Sequence, residues 1–129
     1  MPEILTSDVL FFFDGHPGAL VLYEALAEKL LSQFPATAIQ VKKTQVGFHD
    51  GRLYCCASLA PVRRKAERPD PFLTVTFSLD EPEPSPRLLC VPVRRNRFTH
   101  HAVIGRVEDI DGQLMDWLRA SRNLGYRKI

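Results

Sequence analysis

Phe72-Leu73-Thr74-Val75-Thr76-Phe77-Ser78-Leu79 alternates without a break from Leu73 on, with Leu73, Val75, Phe77 and Leu79 at one parity and Thr74, Thr76 and Ser78 at the other. Side chains two apart on a strand share a face, so this stretch is a strand with one apolar and one polar side. A sheet of such strands rests one face on the core and shows the other to water, the habit of antiparallel sheets. The flanking sequence extends the sheet. Leu53 to Leu59 is a second strand, and His49-Asp50-Gly51-Arg52 before it carries the Asp-Gly signal of a hairpin turn. Ala38 to Phe48 supplies the strand that enters that turn. Pro61 to Pro71 is a charged, proline-rich loop, and Asp80 to Pro86 is a loop with Pro82, Pro84 and Pro86. Leu88 to Val93 is a further strand, in which Pro92 favours a sheet edge. Arg94 to Arg97 forms a basic turn, and Phe98 to Ile104 is the last strand.

Helical spacing brackets this run. From Pro17, suited to a first helical position, Ala19, Leu22, Tyr23, Leu26, Leu30 and Phe34 recur at the helical period, and Pro35 stops them. Ile110, Leu114, Trp117 and Leu118 mark a second amphipathic helix, with Glu108, Asp109 and Asp111 near its start and Gly125 as its stop. Leu10-Phe11-Phe12-Phe13 reads as an apolar flap on the core, or else as an exposed partner-binding patch. The order helix, strands, helix predicts an α+β fold, an antiparallel sheet of about five strands with two main helices packed on one face. Residues 1–129 are expected to form a single domain: 1–16 an N-terminal flap, 17–34 a helix, 38–104 the sheet and 108–123 a helix.

With 129 residues, 45% hydrophobic and 25% charged, the composition is that of a globular domain. No apolar run approaches the ~20 residues of a membrane span, and the N-terminus lacks the pattern of a signal peptide, so a cytoplasmic location is expected. The net charge is +2 but uneven: residues 1–39 hold one base and five acids, residues 40–106 twelve bases and six acids. The sheet region is therefore basic and the first helix acidic, with room for an anion on the surplus. Cys55, Cys56 and Cys90 make an odd count without the spacing of a metal site, so free thiols and no cofactor are expected. No phosphate loop, dinucleotide fingerprint, nucleophile elbow or His-Glu-x-x-His is present.

The polar residues of interest begin in Ala38-Ile39-Gln40-Val41-Lys42-Lys43-Thr44-Gln45-Val46-Gly47-Phe48. If Ile39 and Val41 hold their register, Lys43 and Gln45 follow them onto the apolar side, where a charge needs a partner. That partner is a bound anion, or Glu24 or Glu28 of the first helix. If a β-bulge lies between Val41 and Val46, Val46 and Phe48 become core and Lys43 turns to solvent. His100 and His101 are adjacent on a strand, so one faces inward, either as a hydrogen-bonded core residue or as a ligand-binding group. Arg63, Arg64 and Lys65, and Arg94, Arg95 and Arg97, form two basic clusters. They are solvated loops, or, if they share one face with stacking aromatics, a nucleic-acid surface.

Three segments together carry a family likeness: Leu22-Tyr23-Glu24-Ala25-Leu26 leading into Val41-Lys42-Lys43-Thr44-Gln45-Val46-Gly47-Phe48, then Thr99-His100-His101-Ala102-Val103-Ile104-Gly105, then Ile110-Asp111 with Trp117-Leu118. In order and spacing they resemble the bacterial family called domain of unknown function 5655, over roughly residues 20 to 125. The resemblance implies a small bacterial intracellular domain and brings no established activity or catalytic residue. The expected function is a small non-enzymatic binding or accessory domain. Its polar pocket is expected around Tyr23, Lys43, Gln45 and His100 or His101, for an anionic small molecule or a protein partner. The alternative is a nucleic-acid-associated module using the two basic clusters. Nothing in the sequence signals an oligomeric state.

Overall fold

A computed structural model describes residues 3–127; the first two residues of the flap and the last two of the chain lie outside them. The sheet is antiparallel throughout and has six strands, β1 (Ala38–Val41), β2 (Val46–His49), β3 (Leu53–Ser58), β4 (Leu73–Leu79), β5 (Leu88–Arg94) and β6 (Arg97–Ile104). Their spatial order is β1-β2-β3-β4-β6-β5. The long helices α2 (Pro17–Gln33) and α3 (Gly112–Arg127) lie against one face, and a short helix, α1 (Ser7–Phe12), sits beside β1. The architecture is the expected α+β one, with one strand more than expected.

The extra strand comes from Ala38 to Phe48, which is a hairpin. Val41 pairs with Val46, and the Lys42 N–H donates to the Gln45 carbonyl at 2.8 Å to close the turn. Neither the pocket register nor the bulge register holds. The reversal changes the parity of the apolar residues, so Val46 and Phe48 are core while Lys43 stands exposed at the turn. Lys43→Met should therefore change stability by no more than about 0.5 kcal/mol, as an exposed substitution away from any partner does; a chemical denaturation curve displaced well beyond that would mean the lysine has a partner.

The core lies between the helices and Val46, Phe48, Cys55, Ala57, Leu73, Val75, Phe77, Ala102 and Ile104 of the sheet. Leu114, Trp117 and Leu118 fill it from α3, and Leu22, Leu26 and Leu30 from α2. The second helical segment starts with a 3-10 turn at Val107–Asp109 and runs past Gly125, which does not stop it. The flap is anchored rather than loose. Val9 and Phe13, four residues apart, are buried, and the Tyr23 hydroxyl donates to the Ile4 carbonyl at 2.8 Å. The far face of the sheet is not uniformly wet. The chain after β3 runs across one end of it, and the Thr74 hydroxyl, fully buried, donates to the Ala60 carbonyl at 2.8 Å. Pro92 lies in β5, at the sheet edge as expected. Among the described residues no helix is long and apolar enough to cross a membrane.

Candidate functional site

The residues expected to make one pocket are divided by the sheet. Tyr23 is fully buried under α2, against Phe13 (5.2 Å between ring centres) and Phe48 (6.1 Å). Its hydroxyl is taken up by Ile4, and burial pushes its pKa up to about 12, so it works as a core clamp. His100 pairs with Phe77 and Cys90 across the sheet and faces the helices, stacked on Phe77 at 5.5 Å. Its Nε2 accepts the Glu83 N–H at 3.0 Å, and burial lowers its pKa. His101 and Gln45 lie on the opposite face. The His101 Nδ1 and the Thr76 hydroxyl are 2.8 Å apart, and the Gln45 Oε1 accepts from the Cys56 thiol at 3.4 Å. Lys43 belongs to neither side. An expected pocket of Tyr23, Lys43, Gln45 and a histidine is thus not what the chain builds, because a backbone layer separates its members.

The two basic clusters are also apart. Arg63, Arg64 and Lys65 lie where β3 leaves the sheet and β5 enters it; the Arg63 guanidinium donates to the Pro86 carbonyl and Arg64 pairs with Glu67. Arg94, Arg95 and Arg97 lie at the β5–β6 turn, at the other end of β6. Seven residue steps of strand separate these ends, roughly 23 Å.

The structure instead assembles a cavity of about 240 Å³ beside that turn. Its origin is local. β3 carries one more residue than β2 at this end, with Phe48 opposite Cys55 and His49 opposite Leu53. Pairing of β3 with β4 begins only at Cys55 and Phe77. Ser121 of α3 fills the gap between the strands: its hydroxyl donates to the Tyr54 carbonyl at 2.6 Å and accepts the Ser78 N–H at 3.2 Å. Around this bridge the cavity is lined by Arg52 from the β2–β3 turn, Arg97 from the first position of β6 and Arg122 from α3. The same-face residues Thr76, Ser78 and Thr99, with Gln45, complete the polar lining.

The electrostatics are unbalanced. Arg122 is neutralised by Asp50, with its Nε 2.7 Å from the carboxylate. Arg97 is half-buried, and its Nε is buried with no hydrogen-bond partner. Burial lowers its pKa, the neighbouring Arg94 and Arg52 lower it further, and only Asp80 opposes them. Like charges gathered around a desolvated donor are unfavourable unless an anion compensates them. Burial raises the Cys55 thiol well above its ordinary pKa and raises Cys56 too, which disfavours thiolates at both. Among the described residues no cluster of three or more His, Cys, Asp or Glu side chains is placed to hold a metal ion.

Of these residues Arg97, within a basic turn, and Gln45 are candidates from the sequence; Arg52, Thr99 and Ser121 are not. One signal was available. Arg97, Thr99 and His101 sit at same-face spacing, as do Thr76 and Ser78, so two strands each present a polar row. What joins those rows to Arg52 and Arg122 is tertiary.

A family model described as "Domain of unknown function (DUF5655)" matches residues 12–124. No curated protein matches the chain, and no solved structure does. The match spans most of the chain, and the chain belongs to that family.

Proposed function

We propose that this family member is a non-enzymatic binding or accessory domain of the bacterial cytoplasm, and that its ligand is a small oxyanion held in the cavity of Arg52, Arg97 and Thr99. One observation carries the reading: the buried Arg97 Nε has no partner, in a cavity that two further arginines line. A guanidinium presents its donors as a planar fork, which matches the paired oxygens of a phosphate or carboxylate. The hydroxyls of Thr76, Ser78 and Thr99 can donate to the remaining oxygens or accept from a protonated one. At about 240 Å³ the cavity suits a phosphate or a small carboxylic acid rather than a polymer.

Thermal unfolding in increasing inorganic phosphate, against chloride at matched ionic strength, tests this. A ligand that binds only the folded chain stabilises it by about 2.7 kcal/mol at one hundred times its Kd. Phosphate or citrate should raise the melting temperature of the native chain, and Arg97→Gln should weaken that response at least tenfold. No stabilisation beyond the chloride control, or an equal response from the variant, would reject the reading. Tight oligonucleotide binding that is lost on neutralising Arg63, Arg64 and Lys65 would favour a nucleic-acid module instead.

A further inference from the structure

A second surface is formed by α1 and the β1–β2 turn, outside the arginine cavity. Six-residue α1 is fixed by its inner side, through Val9 and Phe13, and capped by the Thr6 hydroxyl, which accepts the Val9 N–H at 3.2 Å. Phe11, two residues from each anchor, is thereby turned outward and is 83% exposed. It forms one rim of a groove of about 750 Å³, whose other apolar walls are Phe12, Val41, Leu59 and Ala60. Asp8 lines the same groove, as do Lys42 and Lys43 of the β1–β2 turn. Among the described residues none of these three charges is in an ion pair.

We propose that two copies of this chain pair through this surface about a two-fold axis, with Phe11 of each protomer seated in the groove of its partner. A two-fold interface must be complementary to itself. This one carries an apolar knob beside an apolar hollow, and an acid beside two bases. Rotation by half a turn sets knob against hollow and lets Asp8 of one copy face Lys42 and Lys43 of the other. An acidic peptide would satisfy the lysines but leave Asp8 facing like charge, so the surface fits a second copy better. Because Val9 and Phe13 hold α1 in place, Phe11 is presented without the ordering cost of a loose segment.

Sedimentation equilibrium of the whole chain, from about 10 μM to about 1 mM, covers the range in which a small specific interface associates. The native chain should dimerise, and Phe11→Ser, at an exposed site, should weaken association at least tenfold without lowering the melting temperature measured at a concentration where the native chain is monomeric. The charge test is sharper. Asp8→Lys alone, and Lys42→Glu with Lys43→Glu alone, should each be monomeric, while the two mixed should form a heterodimer. A native chain that stays monomeric throughout overturns the proposal. So does dimerisation that Phe11→Ser leaves intact, a mixture that fails to pair, or a monomer that instead binds an acidic amphipathic peptide at this groove.

Discussion

Replacing Trp117 by alanine is expected to cost about 3–5 kcal/mol of folding stability, the range for large aromatic truncations in a packed core. The side chain is buried and closes a stack of three rings: Trp117 on Phe77 at 6.2 Å, and Phe77 on His100 at 5.5 Å. Arg87 covers it, with its guanidinium carbon 5.6 Å from the ring centre. That guanidinium is itself held, donating to Asp111, to Gln113 and to the Asp109 carbonyl, so the lid cannot simply fall into the space left behind. A rigid cavity costs more than one that collapses. Since domains retain only about 5–15 kcal/mol in total, the variant should show a much earlier urea midpoint with an unchanged slope. An unchanged midpoint would contradict the packing of α3 on β3 and β4.

What the sequence makes legible, and what it hides, follows from the range of the interactions. α2, α3 and β4 write their buried faces into local spacing, and Pro17 and Pro35 bracket α2, so these elements can be read directly. The Lys42-Lys43-Thr44-Gln45 turn cannot, because it lacks the Gly, Pro, Asn or Asp that announces a reversal. The parity change from Ile39 and Val41 to Val46 and Phe48 is visible, but a bulge explains it equally well. α1 is too short to show a period and is fixed by contacts with Tyr23, which lies many residues away. The inward direction of His100 follows once Ala102 and Ile104 are taken as core, since all three share parity. The arginine cavity is the least legible part. Arg52, Arg97 and Arg122 come from a turn, a strand and a helix, and the space between them exists because β3 has one residue too many at Tyr54. No local pattern encodes that coincidence.

Acid should destabilise the protein well before its carboxylates titrate. His100, His101 and His49 all have pKa values lowered in the folded state, each chiefly by burial, with His100 acting on His101 and Lys42 on His49. For His100 geometry gives the same answer: its Nε2 must stay unprotonated to accept the Glu83 N–H. A histidine whose folded pKa lies below the ordinary value of about 6.5 binds its proton more readily in the unfolded chain. Stability from that group is therefore complete above about pH 6.5 and falls as the pH drops from there through the folded pKa. Asp111 has its pKa lowered first by the Leu114 N–H and then by Arg87, so its contribution is lost only at lower pH, below the ordinary carboxylate value of about 4. Two windows result, and they can be separated. Denaturation midpoints should decline as the pH falls from about 6.5 towards the carboxylate range, and His100→Gln, which keeps a neutral acceptor near Glu83, should flatten that decline while lowering stability at pH 7. A native midpoint constant across this interval, or a variant with the same slope as the native chain, would show that His100 carries its proton in the fold, which the bond from Glu83 to Nε2 forbids.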